Sequence, residues 1–239
     1  MAVKITYDNI EYHLRQYEQV YRSTEVMVDW LDGGGYLRTG KSQNICDMAC
    51  GCGANIAYLA SKYHQNNYVG IEIEERLVTE GNRRLTFPNT RIIQGDWFHL
   101  DKSLKEKFDA VISFQTLSWL SGYQTSLRCL ADLNPKWIAI SSLFYEGDID
   151  YFVNVNDYSE DEVNYKETMY NIYSLVRVKK LFEELGYYKF DYIPYDIDID
   201  IEPVNKQMRG TYTRKMADGK RIQISGGMMM PWYFVVASK

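Results

Sequence analysis

From Asn44 to Leu143 the chain alternates strand-like apolar runs with segments of helical periodicity, and no hairpin signal joins one run to the next. The strand-like runs are Asn44–Met48, Tyr68–Ile73, Thr90–Gln94, Ala110–Phe114 and Trp137–Leu143; helical patterns start at Asn55 and Glu74 and cover Ser121–Asp132. Strands linked through helices must run parallel, because a two-residue turn can only reverse direction. Such a sheet buries both of its faces under the crossover helices. The expected fold is therefore α/β, doubly wound, with a mostly parallel sheet and helices on both sides.

The segments around this core are read the same way. Ile10, Leu14, Tyr17, Val20, Tyr21, Met27, Val28 and Leu31 recur at three- and four-residue steps, which predicts one helix or a pair ended by Gly33-Gly34-Gly35. Residues 1–40 thus form a helical cap, and 41–143 the core. The acidic, tyrosine-rich stretch Tyr145–Tyr173 is too long for a plain connector and is read, within 144–174, as a lid or insert. Ser174 is the expected N-cap of a helix whose apolar face is Leu175, Val178, Leu181, Phe182 and Leu185, closed by Gly186. Within 175–239, alternation predicts a strand over Tyr188–Ile201 with four carboxylates of Asp196–Glu202 on one solvated face. Asp218-Gly219 marks a hairpin between Thr211–Lys215 and Arg221–Ser225, and Trp232–Ala237 is a last strand. The whole, 1–239, reads as a single domain.

In a parallel sheet of this kind ligands bind where the carboxyl ends of the strands open into a crevice. The first strand runs directly into Asp47-Met-Ala-Cys-Gly-Cys-Gly53, a glycine-rich turn whose backbone N–H groups can approach a ligand. The second strand ends in Glu72, placed to accept hydrogen bonds from both hydroxyls of a ribose. The third ends Gln94-Gly-Asp96-Trp97, a carboxylate for an adenine amino group and an indole to cover the ring. A pyrophosphate-binding turn spaces its glycines Gly-x-Gly-x-x-Gly, whereas Ala49, Gly51 and Gly53 are spaced by two and Asp47 adds a negative charge. A nicotinamide dinucleotide fits this poorly; a sulfonium carrying an ammonium group fits it better.

These motifs, in this order over about residues 40–143, resemble the class I S-adenosylmethionine-dependent methyltransferases. Asp47, Ala49, Gly51 and Gly53 match that family's acidic-x-Gly-x-Gly-x-Gly loop, with alanine at the first glycine position. The resemblance implies S-adenosylmethionine as cofactor and S-adenosylhomocysteine as product. It assigns Glu72 to the ribose, Asp96 to the adenine and Phe108-Asp109 to the start of the fourth strand. It also implies a seven-stranded sheet with the last strand antiparallel beside the fifth, which makes the Asp218-Gly219 hairpin an addition to the C-terminal end. The candidate cofactor residues are Asp47, Ala49, Cys50, Gly51, Gly53, Glu72, Ile73, Asp96, Trp97, Phe114 and Gln115.

Methyl transfer from a sulfonium is an in-line displacement, so positioning supplies most of the acceleration, and a base is needed only for a hydroxyl or a protonated amine. Trp119, Tyr145 and Glu146, with Gln115, are the candidate acceptor contacts, and His13 is the candidate base; His64 and His99 read as surface residues. No metal is expected, because Cys46, Cys50 and Cys52 contain no Cys-x-x-Cys pair and have no histidine near them in sequence. A net charge of −5 disfavours nucleic acid, and with the aromatic-rich cap and no appended nucleic-acid-binding module it points to a small or medium-sized acceptor; O-methylation is expected ahead of N-methylation. A non-catalytic nucleoside-binding protein is the alternative; methylation of RNA or protein comes behind it. The sequence has no run long enough to span a membrane and no secretory signal, so a cytoplasmic location is expected.

Overall fold

The structure is a computed structural model that describes residues 10–38, 40–158, 165–203 and 210–239. Two helices lead, α1 (Ile10–Glu18) and α2 (Arg22–Gly33), followed by β1 (Asn44–Met48), α3 (Ala54–Lys62), β2 (Asn67–Glu72), α4 (Glu75–Arg84), β3 (Thr90–Gln94), β4 (Ala110–Phe114), α5 (Tyr123–Asp132) and β5 (Trp137–Tyr145). Then come β6 (Asn154–Asp157), β7 (Lys166–Met169), β8 (Tyr173–Ser174), α6 (Leu175–Glu184), β9 (Lys189–Pro194), β10 (Thr211–Lys215), β11 (Arg221–Ser225), β12 (Met228–Met229) and β13 (Trp232–Ser238).

The main sheet has the order β3-β2-β1-β4-β5-β13-β9, with the short β8 pairing β5 off this path. Strands β3, β2, β1, β4 and β5 are parallel, and β13 runs antiparallel between β5 and β9. The central β4 is buried at every residue, as a strand covered on both faces must be. Alternate side chains feed two apolar clusters. On one face Ile45, Ile112, Leu143 and Phe234 pack with Met27, Val28 and Leu31 of α2 and Ile56 and Leu59 of α3. On the other, Cys46, Val111, Ile140 and Val235 pack with Leu127 and Leu130 of α5 and Val178, Leu181 and Phe182 of α6. Ser174 caps α6, its hydroxyl accepting from the Arg177 N–H at 3.2 Å, and Gly186 follows in the left-handed region at φ +88°.

The insert is a β-hairpin arm. Strands β6 and β7 pair antiparallel, and the ladder is carried towards the core by a bridge between Tyr151 and Ile172. Buried Asn171 roots it: its backbone N–H donates to the Ser118 carbonyl at 2.8 Å and its side chain to the Leu120 carbonyl at 2.8 Å, both in the segment that follows β4. The acidic Ser159–Glu162 stretch lies outside the described residues.

One expectation fails. The strand over Tyr188–Ile201 ends at Pro194, because its partner β13 begins at Trp232, whose carbonyl accepts the last ladder bond from the Tyr195 N–H at 2.8 Å. Beyond it Tyr195 and Ile197 turn into the apolar cluster, and Ile201 bonds instead to Thr213 of β10. The acidic run is thus no strand face, and two of its carboxylates are clamped: Asp198 by Arg22 at 2.7 Å and Asp200 by Arg221 at 2.6 Å. Of the three methionines before Pro231, Met230 is core and Met229 is exposed.

Candidate cofactor and acceptor site

The turn after β1 is held to β2 by the Ile71 carbonyl, which accepts from the Ala49 N–H at 2.8 Å and the Cys50 N–H at 3.2 Å. It then coils through the left-handed region at Ala49 (φ +60°), Gly51 (φ +56°) and Gly53 (φ +81°), and α3 starts at the next residue. At Gly53 a Cβ would stand 2.9 Å from the Ile92 side chain, and at Gly51 it would collide with the His13 ring. Ala49 carries a Cβ in the same backbone region, which costs about 1–2 kcal/mol relative to a right-handed conformation. Ala49→Gly is expected to stabilise the protein by about 0.5–1 kcal/mol after glycine's extra chain entropy is counted. A thermal melt should show a rise of roughly 1–4 °C, and an unchanged or lower midpoint would argue against strain at this residue.

Asp47 is fully enclosed beneath the turn, and neither of its carboxylate oxygens has a hydrogen-bond partner among the described residues. Burial, and after it the charge of Glu72, pushes this carboxyl well above its ordinary range. Glu72 is also buried, and its two oxygens accept from the Gly51 N–H at 2.9 Å and the Glu74 N–H at 3.0 Å. Burial raises its pKa against the lowering effect of those backbone bonds. Each oxygen keeps a lone pair for a further donor. Beside it Ile73 is 55% exposed at the tip of β2, an apolar surface open for an aromatic ring.

At the end of β3, Asp96 accepts from the Phe98 N–H at 2.9 Å and lies 2.7 Å from His99 Nδ1. Partial burial pushes its carboxyl up, but the bonds from His99 and Phe98 outweigh this and hold it below the ordinary range. Trp97 lies in the core, its indole N–H donating to the Ser126 carbonyl at 2.9 Å. It forms a floor packed on α5, and the half-open ring at this edge is Phe98, which the sequence reading did not name.

At the end of β4, Phe114 is buried and Gln115 takes a left-handed conformation at φ +56°. The Gln115 amide donates to Ser23 Oγ at 2.8 Å, which ties the end of β4 to the first turn of α2. Trp119 packs on Tyr170 of the hairpin arm, ring centres 4.5 Å apart. Tyr145 and Glu146 stand apart from this group. Phe114 is level with Ser141, so β5 continues four residues past the end of β4, about 13 Å, before Tyr145. The Tyr145 ring meets Tyr151, and Glu146 accepts from the Tyr233 hydroxyl at 3.2 Å. His64 is exposed. Cys46, Cys50 and Cys52 are buried free thiols pushed up by burial, and among the described residues no group of three or more metal-ligating side chains is placed to hold a metal.

The residues present fit a cationic, ribose-bearing cofactor. An enclosed carboxylate without a partner suits an ammonium or sulfonium centre, Glu72 suits vicinal hydroxyls, and Asp96 with Ile73 suits an aminopurine. Ser23, Tyr170 and Asn171 were beyond the reach of local pattern: each acts through a partner distant in sequence.

A profile described as a methyltransferase domain matches residues 45–134. No curated protein sequence matches the chain. Solved structures share the fold. Magnesium protoporphyrin IX methyltransferase from Synechocystis, with S-adenosylmethionine bound, aligns over 97% of this chain and 85% of its own at 15% identity and TM-score 0.53. A putative methyltransferase of Haloferax volcanii, solved with its activator, aligns over 96% and 93% at 12% identity and TM-score 0.60. A Burkholderia thailandensis 1,6-didemethyltoxoflavin N1-methyltransferase aligns over 96% and 86% at 12% identity and TM-score 0.54.

Proposed function

We propose, for a chain that carries the methyltransferase domain and the Rossmann-like fold of the S-adenosylmethionine-dependent methyltransferases, that it methylates a small or medium-sized molecule, at oxygen in preference to nitrogen. The observation that carries the cofactor side is the enclosed, unpartnered Asp47 below a turn whose Gly51 N–H is pinned by Glu72. When bound, S-adenosylmethionine supplies an activated methyl group on a good leaving group. Asp47 answers its positive end, Glu72 its ribose, and Asp96, Ile73 and Phe98 its base.

The acceptor enters beyond the end of β4. There Gln115, fixed through Ser23, and Trp119, backed by Tyr170, orient it, and the hairpin arm rooted on Asn171 restricts water. A compact aromatic wall and a net charge of −5 suit a small uncharged or cationic acceptor better than a polyanion. Tyr145 and Glu146 are outside this proposal because β5 carries them past the edge.

The test is methyl transfer from labelled S-adenosylmethionine to hydroxyl-bearing small molecules, with bulk RNA and protein as competitors. Transfer to RNA or protein alone would refute the acceptor class. With an acceptor in hand, Gln115→Ala should raise its KM roughly tenfold, while S-adenosylhomocysteine affinity changes about twofold or less. The reverse pattern would place Gln115 on the cofactor instead.

A further inference from the structure

We propose that β9 is a self-pairing edge, and that two copies of the chain associate by joining β9 to β9 antiparallel about a two-fold axis through Phe190. The strand stands at the end of the sheet order, with β13 on its inner side. There the Tyr195 N–H donates to the Trp232 carbonyl at 2.8 Å, and in an antiparallel ladder such bonded pairs recur at every second residue. Ile193, Asp191 and Lys189 therefore bond to β13, while Tyr192 and Phe190 turn their N–H and C=O outward. Among the described residues no backbone hydrogen bond reaches that outer side. Helix α2 stops short of it: a cleft of about 270 Å³, whose lining includes Trp30, Tyr36, Lys189, Asp191 and Ile193, runs beside the edge. A row of unpaired backbone groups is a template for another strand.

Charge complementarity says which strand. The run Tyr188-Lys-Phe-Asp-Tyr192 is symmetric about Phe190 except that its two charges are opposite. Pairing about Phe190 therefore sets Lys189 of each copy directly across from Asp191 of the other. These are non-hydrogen-bonded positions, where facing side chains come closest. In the single chain the Lys189 ammonium lies 3.5 Å from Asp191 of its own strand, an exposed pair that is worth little alone. Across the axis the four charges alternate in sign around a square. On the opposite face Phe190 meets its own copy, and Tyr192 meets Tyr188, which is 76% exposed. A slip of two residues brings lysine against lysine or aspartate against aspartate, so a single register is favoured. A lone lysine on an edge discourages pairing, but here the aspartate two residues on makes it an attraction. Pro194, which has no N–H, lies beyond the paired run and closes it.

Sedimentation equilibrium of the full chain over a concentration series tests the pairing. The wild type should show a reversible monomer–dimer equilibrium with a dissociation constant on the order of 10 µM, as suits a small interface. Lys189→Asp makes both charged positions of the edge acidic, and Asp191→Lys makes both basic; each variant alone should dimerise about tenfold or more weakly. Both side chains are more than half exposed, so circular dichroism should show folded proteins. Mixed in equal amounts, the two variants should form a heterodimer within about threefold of the wild-type affinity, because each charge again faces its opposite across the axis. A wild type that stays monomeric at about 100 µM would overturn the proposal and leave the edge to a strand of another protein. A dimer that neither charge reversal weakens would overturn it by placing the interface elsewhere. So would two weakened variants that fail to pair when mixed.

Discussion

Asp47→Asn should make the ligand-free protein more stable and its cofactor binding much weaker. An enclosed carboxyl without a hydrogen-bond partner is a liability in the free protein. Replacing it by an amide of the same shape should gain about 1–3 kcal/mol, a few degrees in Tm. The pH dependence follows from the direction of the shift. Below the unfolded carboxylate value, near 3.9, Asp47 is protonated in both states and costs nothing extra. As the pH rises above that value the unfolded chain ionises while the folded one, its pKa held high by burial and by Glu72, keeps its proton. Stability is lost progressively from that point until the folded group ionises too, so the Tm advantage of the variant should grow as the pH rises above about 4. Binding moves the other way: the cofactor's cationic end would draw the proton off Asp47, and an amide that cannot ionise should cost about thirtyfold or more in S-adenosylhomocysteine affinity. A variant less stable than wild type at neutral pH would show that Asp47 has a structural partner after all.

Glu72→Ala should weaken binding at least as much, with the opposite effect on stability. The substitution leaves the Gly51 and Glu74 N–H groups without their acceptor and frees the turn from β2. Destabilisation of about 1–3 kcal/mol is expected, against the gain at Asp47. Two charge-assisted bonds to a ribose are lost as well, and affinity should fall roughly hundredfold or more. Glu72→Gln, which can still accept one of the two backbone bonds, should lie between. Denaturant melts and calorimetry on the three proteins check both signs; a Glu72→Ala protein with intact affinity would remove the ribose from this strand tip.

What the sequence conveys here depends on how local the physics is. The parallel core is legible because each strand is a short apolar run buried on both faces, and β1, β3 and β4 have the expected bounds. The turn is legible because left-handed residues call for glycine, and the exception at Ala49 is visible as a departure from that rule. The Asp218-Gly219 hairpin and the Ser174 cap are likewise set by a few adjacent residues. The hairpin arm is not, since its ladder is rooted through Asn171 on a segment about 50 residues earlier and shows no clear alternation. Nor is the link between Gln115 and Ser23, 92 residues apart, which brings α2 to the end of β4. The place of Tyr145 and Glu146 is not legible either, because strand length, unlike strand identity, is not set by a local apolar run, and β5 outruns β4 by four residues. Asp196–Glu202 alternates like a strand but lacks a partner strand beyond Trp232.

On the proposed function the turn from Asp47 to Gly53, with Glu72 and Asp96, receives S-adenosylmethionine. Calorimetric titration of the purified chain with S-adenosylhomocysteine and, in parallel, with NADH tests it most directly. Saturable one-to-one binding of S-adenosylhomocysteine, lost in Glu72→Ala, with no heat from NADH, is the predicted result. Tight NADH binding with no response to S-adenosylhomocysteine would contradict it.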